Sequence, residues 1–198
     1  MKALGKGSIA SFMEVALKIT AVVLWVFLGC VAAAALAYAV LNGLIAAGAV
    51  SPDILAGERG RVEGSGFEAT FDMDSGLAWQ VVAPALLSAL VAIAGGLIIV
   101  RRLLKLFESF RSGEPFRKEN ATHLRVIWIT MMVIELSRYA IMALTGLIIT
   151  AFGEPSGADM TFRLNVDLMT WASILVLIVL AEVFREGARL REEQELTI

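Results

Sequence analysis

Long apolar segments alternate with short charged ones along the 198 residues of the chain. The third apolar segment, from Leu124 to Phe152, is long enough for a helix to cross the roughly 30 Å hydrocarbon layer of a bilayer. The pattern predicts an all-α integral membrane protein that forms a single four-transmembrane-helix bundle. Its helices are expected at about 17–49, 79–111, 117–152 and 165–191.

Two opposite charges lie near the middle of the third apolar segment. Glu135 and Arg138 are three residues apart, so on a helix they share one face and can neutralise each other. A charge inside the membrane must turn away from lipid. The pair is therefore expected to point into the bundle, in an intramembrane polar cluster at the depth of Ser88 and Ser173.

The first apolar segment follows Lys2, Lys6 and Lys18 and continues to Val50. A secretory signal has an apolar region of about 7 to 15 residues, whereas this segment continues past the Ala-Leu-Ala at 35–37 that could act as a cleavage site. It is interpreted as a retained first membrane helix. Small residues recur at every fourth position along it, which favours close packing within the chain, with a homo-oligomer as the alternative.

Residues 51–78 form a polar, glycine-rich and acidic loop. From Phe67 to Met73 apolar and polar residues alternate with a period of two, and Gly64-Ser65 can turn this stretch back onto 59–63. The alternation predicts a small β-hairpin cap, to which Met160 to Leu164 in the later loop would add a third strand. An acidic loop without regular structure is the alternative.

The Lys and Arg residues outside the apolar segments fall mostly on one side of the predicted membrane. One side holds Lys2, Lys6, Lys18, Arg101, Arg102, Lys105, Arg111, Arg117, Lys118, Arg125, Arg185, Arg189 and Arg191, and the other holds Arg59, Arg61 and Arg163. Cytoplasmic loops carry the excess of Lys and Arg in membrane proteins. Both termini are therefore predicted to be cytoplasmic, and the 51–78 loop extracytoplasmic.

The helix ends carry further signals. Gly113 is expected to end the second helix, and Asn165 to cap the fourth, with Asp167 in its first turn. The fourth apolar segment passes without a break into a tail in which opposite charges recur at helical spacing. This predicts a cytoplasmic helical tail, with Gly187 as a candidate hinge.

Composition limits the chemistry of the chain. A hydrophobic fraction of 58% is typical of membrane proteins. The single cysteine, Cys30, and the single histidine, His123, provide neither a disulfide framework nor a metal site. No nucleotide or nucleophile motif occurs, and no broad basic face favours nucleic acid. The sequence therefore predicts a non-enzymatic protein with no cofactor, no metal, no catalytic residues and no direct contact with nucleic acid.

Two segments carry a resemblance to a known family. They are Gly113-Glu-Pro-Phe116 with Asn120 and Leu124-Arg125, and Leu180-Ala-Glu-Val-Phe-Arg-Glu-Gly187 with Leu190 and the terminal Glu193-Gln-Glu-Leu-Thr-Ile198. These segments resemble the bacterial inner-membrane proteins catalogued as domain of unknown function 2975. The resemblance implies a four-helix protein of the bacterial inner membrane with no established biochemical activity. It also implies a family often encoded beside a small helix-turn-helix regulator.

Three functional hypotheses follow. The first is a sensory or regulatory component that acts through a cytoplasmic partner such as a helix-turn-helix regulator. Its candidate contact residues are Gly113, Pro115, Phe116, Asn120, Arg125, Glu182, Phe184, Arg185, Gly187, Leu196 and Ile198. The alternative is a small transporter or channel component that uses Glu135 and Arg138. A lipid-binding protein or a membrane-embedded enzyme is the second alternative, and the lipid bilayer surrounds the chain in all three.

Overall fold

The computed structural model describes residues 9–51, 59–64, 67–72, 79–112, 116–153, 159–162 and 166–195, which form helices and three short strands. The elements in this part of the chain are α1 (Ile9–Ala46), β1 (Arg59–Gly64), β2 (Phe67–Asp72), α2 (Trp79–Arg111), α3 (Lys118–Phe152), β3 (Asp159–Phe162) and α4 (Leu168–Glu195). Within the described residues, all four helices are long and apolar enough to cross a membrane. This is the architecture of a multi-pass membrane protein.

Helix α1 begins well before the apolar segment. It starts at Ile9 rather than near residue 17, where the hydrophobic pattern places its start. The added turns are stabilised by charge pairing that the apolar pattern does not reveal. The carboxylate of Glu14 accepts hydrogen bonds from Lys18 Nζ at 2.7 Å and from Arg111 Nη1 of α2 at 2.9 Å.

Two helices end at glycines with a left-handed backbone conformation. Gly48 (φ 68°) follows α1, and Gly153 (φ 86°) follows α3. The N–H of Ala49 donates to the carbonyl of Leu44 at 3.0 Å, and the N–H of Gly153 donates to the carbonyl of Ile149 at 2.8 Å. These bonds satisfy the last carbonyls of each helix. Because glycine adopts this backbone without strain, α1 ends before the expected boundary.

Helix α4 is capped by Asp167. Its Oδ1 accepts a hydrogen bond from the N–H of Met169 at 3.0 Å, and its Oδ2 accepts one from the hydroxyl of Thr170 at 2.6 Å. Asp167 thus precedes the helix instead of lying in its first turn, because its carboxylate satisfies an amide that the helix leaves without a partner. The expected cap, Asn165, lies outside the described residues, as does Gly113, the expected end of α2.

The strands form one three-stranded sheet with β2 in the middle. β1 pairs antiparallel with β2, with Arg61 opposite Thr70, and β2 pairs antiparallel with β3, with Thr70 opposite Asp159. These strands occupy the two segments whose alternation predicted a hairpin and a third strand. Leu164 and the turn residues 65–66 lie outside the described residues. That the sheet caps the helices stays a prediction.

The chain forms two compact units. The tail-side unit comprises Met1–Val26, Ile93–Ile134 and Asp167–Ile198, and the strand-side unit comprises Phe27–Ala92 and Glu135–Val166. Helices α1, α2 and α3 contribute to both units, whereas α4 lies in the tail-side unit.

Two adjacent glycines of α2 allow close helix packing in the tail-side unit. A Cβ atom at Gly95 would lie 2.4 Å from Cδ1 of Ile134 in α3, and one at Gly96 would lie 3.4 Å from Cδ1 of Leu24 in α1. A side chain at Gly95 would therefore force the side chain of Ile134 to move. Because glycine has no side chain, Gly95 and Gly96 let the helices approach each other closely, as small residues do in membrane helices generally.

The strand-side unit has its own packing. The rings of Trp79 and Phe152 meet edge to face at 5.4 Å between centroids, which joins the start of α2 to the end of α3. Thr145 is buried, and its hydroxyl donates to the carbonyl of Ile141 at 2.8 Å. This intrahelical bond satisfies a polar group that would otherwise be costly to bury.

Candidate functional site

Three helices meet in a small core at the charged end of the tail-side unit. Leu106 of α2, Leu124 of α3 and Ala181 of α4 are its buried members. Partly buried side chains surround them: Leu103, Phe110, Trp128, Leu177 and Phe184. The tail platform is defined here as residues 103–111, 116–128 and 177–192. They contain this core and the residues whose contacts hold the three helices together around it.

Three phenylalanines connect the segments of the tail platform. The ring of Phe184 in α4 stacks on that of Phe110 in α2, with centroids 5.9 Å apart. Phe116, which precedes α3, contacts Phe184 from another side at 5.5 Å. Such pairs contribute about 0.5–1.5 kcal/mol each beyond the area that they bury. The rings therefore hold the α4 tail against the connection between α2 and α3.

The ring of Phe116 packs directly against Gly187. A Cβ atom on this glycine would lie 2.7 Å from Cδ1 and 3.0 Å from Cε1 of Phe116, so the ring rests directly on the α4 backbone. The helix is continuous through this position. The structure thus gives Gly187 a packing role, where its position in a charged tail suggested a hinge.

A buried polar pair fixes α2 against α3. Asn120 is 1% exposed and Ser109 is 8% exposed. Asn120 Nδ2 donates to Ser109 Oγ at 2.7 Å. Because a buried amide without a partner would be costly, this bond favours one rotation and one register between the two helices.

Ion pairs also link the segments, but they contribute little energy. Lys118 Nζ lies 2.6 Å from Glu192 Oε1, and both side chains are about half exposed or more, at 68% and 48%. Within α4, Arg185 pairs with Glu182, and Arg189 pairs with Glu186. Exposed pairs of this kind typically contribute about 0–1 kcal/mol. Ring packing and the buried amide are therefore the main contacts that position the tail.

A groove of about 590 Å³ runs between α3 and α4 on the tail platform. We call it the α3–α4 groove. Trp128, Ile178 and Ala181 form an apolar part, and charged side chains surround the rest. These charged residues are Lys118, Arg125, Glu182, Arg185, Arg189 and Glu192. The groove can therefore bind a ligand that is charged at one end and apolar at the other.

Glu135 and Arg138 form a closed pair in the strand-side unit. Arg138 Nη2 donates to Glu135 Oε2 at 2.8 Å, and the two side chains are only 17% and 13% exposed. The same nitrogen lies 3.1 Å from the hydroxyl of Tyr139, and the guanidinium carbon lies 4.8 Å from the centre of the Tyr139 ring. The geometry neutralises both charges within one helical turn.

The two serines expected beside this pair bond to their own helices. The hydroxyl of Ser88 donates to the carbonyl of Pro84 at 2.9 Å, and that of Ser173 donates to the carbonyl of Met169 at 2.8 Å. Ser88 lies in the strand-side unit with the pair, and Ser173 lies in the tail-side unit. That all four residues share one depth in the membrane stays a prediction. The described part of the chain contains no group of three or more His, Cys, Asp or Glu residues placed to hold a metal ion.

The residues predicted to contact a partner fall into three groups. Phe116, Asn120, Phe184 and Gly187 lie in the packed part of the tail platform. Arg125, Glu182 and Arg185 line the α3–α4 groove. Gly113, Pro115, Leu196 and Ile198 lie outside the described residues.

Two residues of the tail platform, Ser109 and Trp128, were not predicted from the sequence. A serine among charged residues carries no pattern that distinguishes it from the exposed Ser112 nearby, so only the contact with Asn120 reveals its role. Trp128 could have been found, because tryptophan near the end of an apolar segment is typical of membrane interfaces.

Comparison with known proteins supports the family resemblance. The family model described as protein of unknown function (DUF2975) matches residues 68–198, a range that contains every residue of the tail platform. No curated protein and no solved structure matches the chain. Because the matched range covers more than half of its residues, the chain belongs to the DUF2975 family.

Proposed function

We propose that the protein is a non-enzymatic regulatory component of the bacterial inner membrane that presents its tail platform to a cytoplasmic regulatory protein. The partner class expected from the family resemblance is a helix-turn-helix DNA-binding protein. One observation carries the proposal. α4 continues to Glu195, past its apolar segment, and Phe116 and Phe184 fasten it to the α2–α3 connection.

Because the tail part of α4 is held in place by these ring contacts, it offers a defined surface to a partner. Free tails lose conformational freedom on binding, whereas a helix already held in place loses little. The exposed side of this helix includes Leu190, which is 50% exposed beside Arg189 and Glu193. A helix that lies on anionic lipid is basic along its polar face. The mixed charges of this tail suit a protein partner better.

The closed geometry of the intramembrane pair gives less support to a transporter. A charge that guides a substrate must face the substrate's route, whereas Glu135 and Arg138 bond to each other at 2.8 Å and the Arg138 guanidinium lies over the Tyr139 ring. A role in helix packing explains these contacts.

The partner can be tested by placing the photo-crosslinking residue p-benzoylphenylalanine at Leu190 of the full-length protein in its native membrane. The expected adduct contains a soluble protein with a helix-turn-helix fold, identified by mass spectrometry, because Leu190 is exposed on the fastened tail. Leu180 is the matched control, since it is a leucine of the same helix, 39% exposed, within the apolar segment. Its adducts should be with lipid.

Two results would contradict the proposal. Adducts of the same soluble protein from both positions would show nonspecific capture, and adducts with lipid alone at Leu190 would show that the tail meets the membrane. A regulator that co-purifies equally well after deletion of Gln194 to Ile198 and after Leu190→Glu would also argue against this surface.

We also predict the orientation. In a Cys30→Ala background, cysteine at Ser51 should react with an impermeant maleimide on intact spheroplasts, and cysteine at Ser112 should react only after lysis. Both serines are exposed; Ser51 follows the turn at 47–50 that ends α1, and Ser112 directly follows α2. The side rich in Lys and Arg is expected in the cytoplasm. Labelling in the opposite order would refute this topology.

A further inference from the structure

We infer that the α3–α4 groove binds the phosphate headgroup of an anionic phospholipid, with an acyl chain along its apolar part. This ligand site goes beyond the proposed function and does not depend on a protein partner. Its support comes from where the groove lies along the helices, which charges line it and which donors in it have no partner.

The groove spans the change from apolar to charged sequence on both helices. Ile178 and Ala181 lie in the apolar segment of α4, whereas Arg185 to Glu192 follow it. Fourteen residue steps along α4, from 178 to 192, correspond to about 21 Å. A headgroup layer is roughly 5–8 Å thick on each side of the hydrocarbon. With Ile178 at the hydrocarbon edge, the part of the groove within about 8 Å of that end is expected at the depth of the lipid headgroups, and the end near Glu192 lies beyond them.

The charges in the groove favour an anion. Its cations are Lys118, Arg125, Arg185 and Arg189, against the two carboxylates of Glu182 and Glu192. Lys118, Arg185 and Arg189 pair with Glu192, Glu182 and Glu186. Among the described residues, Arg125 is thus the cation of the groove whose charge is not balanced by an ion pair. Basic pockets between membrane helices are typical binding sites for anionic lipid headgroups.

Two exposed donors in the groove make no hydrogen bond to another described residue and are open to a ligand: the hydroxyl of Thr122 and the guanidinium of Arg125. Other threonines of the same helix, Thr130 and Thr145, donate to the carbonyl four residues earlier, at 2.7 and 2.8 Å. Thr122 and Arg125 are three residues apart and share one face of α3. Together they can donate to phosphate oxygens, and hydrogen bonds between a guanidinium and a phosphate are among the strong ones.

The apolar part of the groove favours a lipid over an acidic peptide. Trp128 and Ile178 lie at the end of the groove that is expected nearest the hydrocarbon, where a peptide arriving from water would have to be desolvated. Next to them, α4 has an apolar and exposed surface, with Leu175 63% and Val179 62% exposed. An acyl chain can follow this surface while the phosphate stays at Arg125.

The test measures lipid binding to the full-length protein in detergent by native mass spectrometry. The probes are short-chain phosphatidylglycerol, the matching phosphatidylcholine and inorganic phosphate. We expect phosphatidylglycerol to bind at least about tenfold more tightly than phosphatidylcholine, and Arg125→Gln to remove most of that difference. Arg117→Gln is the matched control, because it removes the same charge from the same end of α3, outside the α3–α4 groove.

Thr122→Val provides a second test if Arg125→Gln does not yield folded protein. It should also weaken phosphatidylglycerol binding, by several-fold, because it removes one neutral donor. Equal binding of the two lipids, or equal effects of Arg125→Gln and Arg117→Gln, would overturn the inference. Inorganic phosphate that competes as well as the lipid would make the groove a phosphate site, and that result would also overturn the inference.

Discussion

Replacing Gly187 with leucine is expected to open the tail platform and to lower the free energy of unfolding by about 1–3 kcal/mol. The new side chain would have to occupy the place of the Phe116 ring, which a Cβ atom alone would approach to 2.7 Å. Phe116 is 43% exposed and can swing outward, but it then loses its contact with Phe184. Thermal unfolding in detergent measures the loss of stability, and trypsin cleavage after Arg189 and Arg191 measures the opening of the tail platform.

Gly146→Leu is the matched control for this experiment. Gly146 also lies inside a helix, but nothing lies within 4 Å of a Cβ atom placed there. Removing a glycine from a helix interior stabilises the helix by up to about 1 kcal/mol, so this variant should be as stable as the parent or slightly more so. Equal destabilisation by both changes would refute the packing role of Gly187, as would a Gly187→Leu tail that resists trypsin like the parent.

Removing Arg138 alone is expected to destabilise the protein more than removing Arg138 and Glu135 together. Arg138→Leu leaves a mostly buried carboxylate without its counter-charge, and an uncompensated charge inside the membrane costs about 2.5–3.5 kcal/mol on insertion scales. The double variant Glu135→Leu with Arg138→Leu removes both charges and should recover most of that loss. Unfolding of the purified variants in bicelles, or their yields in the membrane, would measure the difference.

The tail offers a matched pair with the same spacing. Glu182 and Arg185 are also three residues apart on a helix, but their side chains are 59% and 71% exposed. The single variant Arg185→Leu and the double variant Glu182→Leu with Arg185→Leu should therefore differ from each other by less than about 1 kcal/mol. If Arg138→Leu is as stable as its double variant, the Glu135–Arg138 pair contributes nothing to packing.

Local features of the chain could be predicted from the sequence. The four apolar segments predict four membrane-spanning helices, and the structure contains four helices with the required length and composition. The alternation around Phe67 corresponds to a strand that pairs on both sides. Helix boundaries were harder to predict from the sequence. The start of α1 depends on Glu14 meeting Arg111, ninety-seven residues away, and the cap of α4 depends on which of two neighbouring polar residues precedes the first turn.

The candidate site could be predicted from the sequence only in part. Phe116, Phe184 and Gly187 were singled out through the family resemblance, but nothing in their spacing shows that one ring fills the space beside the glycine. Ser109 was not singled out at all, because its importance lies in its bond to Asn120. The α3–α4 groove combines residues some sixty positions apart, so no local pattern could assemble it.

The sequence by itself determined that the chain enters a membrane and where each helix is apolar, because transfer into lipid depends on a local sum over neighbouring side chains. It also determined the chemistry available, since residue types fix which charges and donors exist. Only the tertiary structure decided which of these residues meet. Contacts such as Phe116 on Gly187 and Asn120 on Ser109 depend on the rotation and register of three helices relative to one another, and packing over the whole tail-side unit sets these quantities.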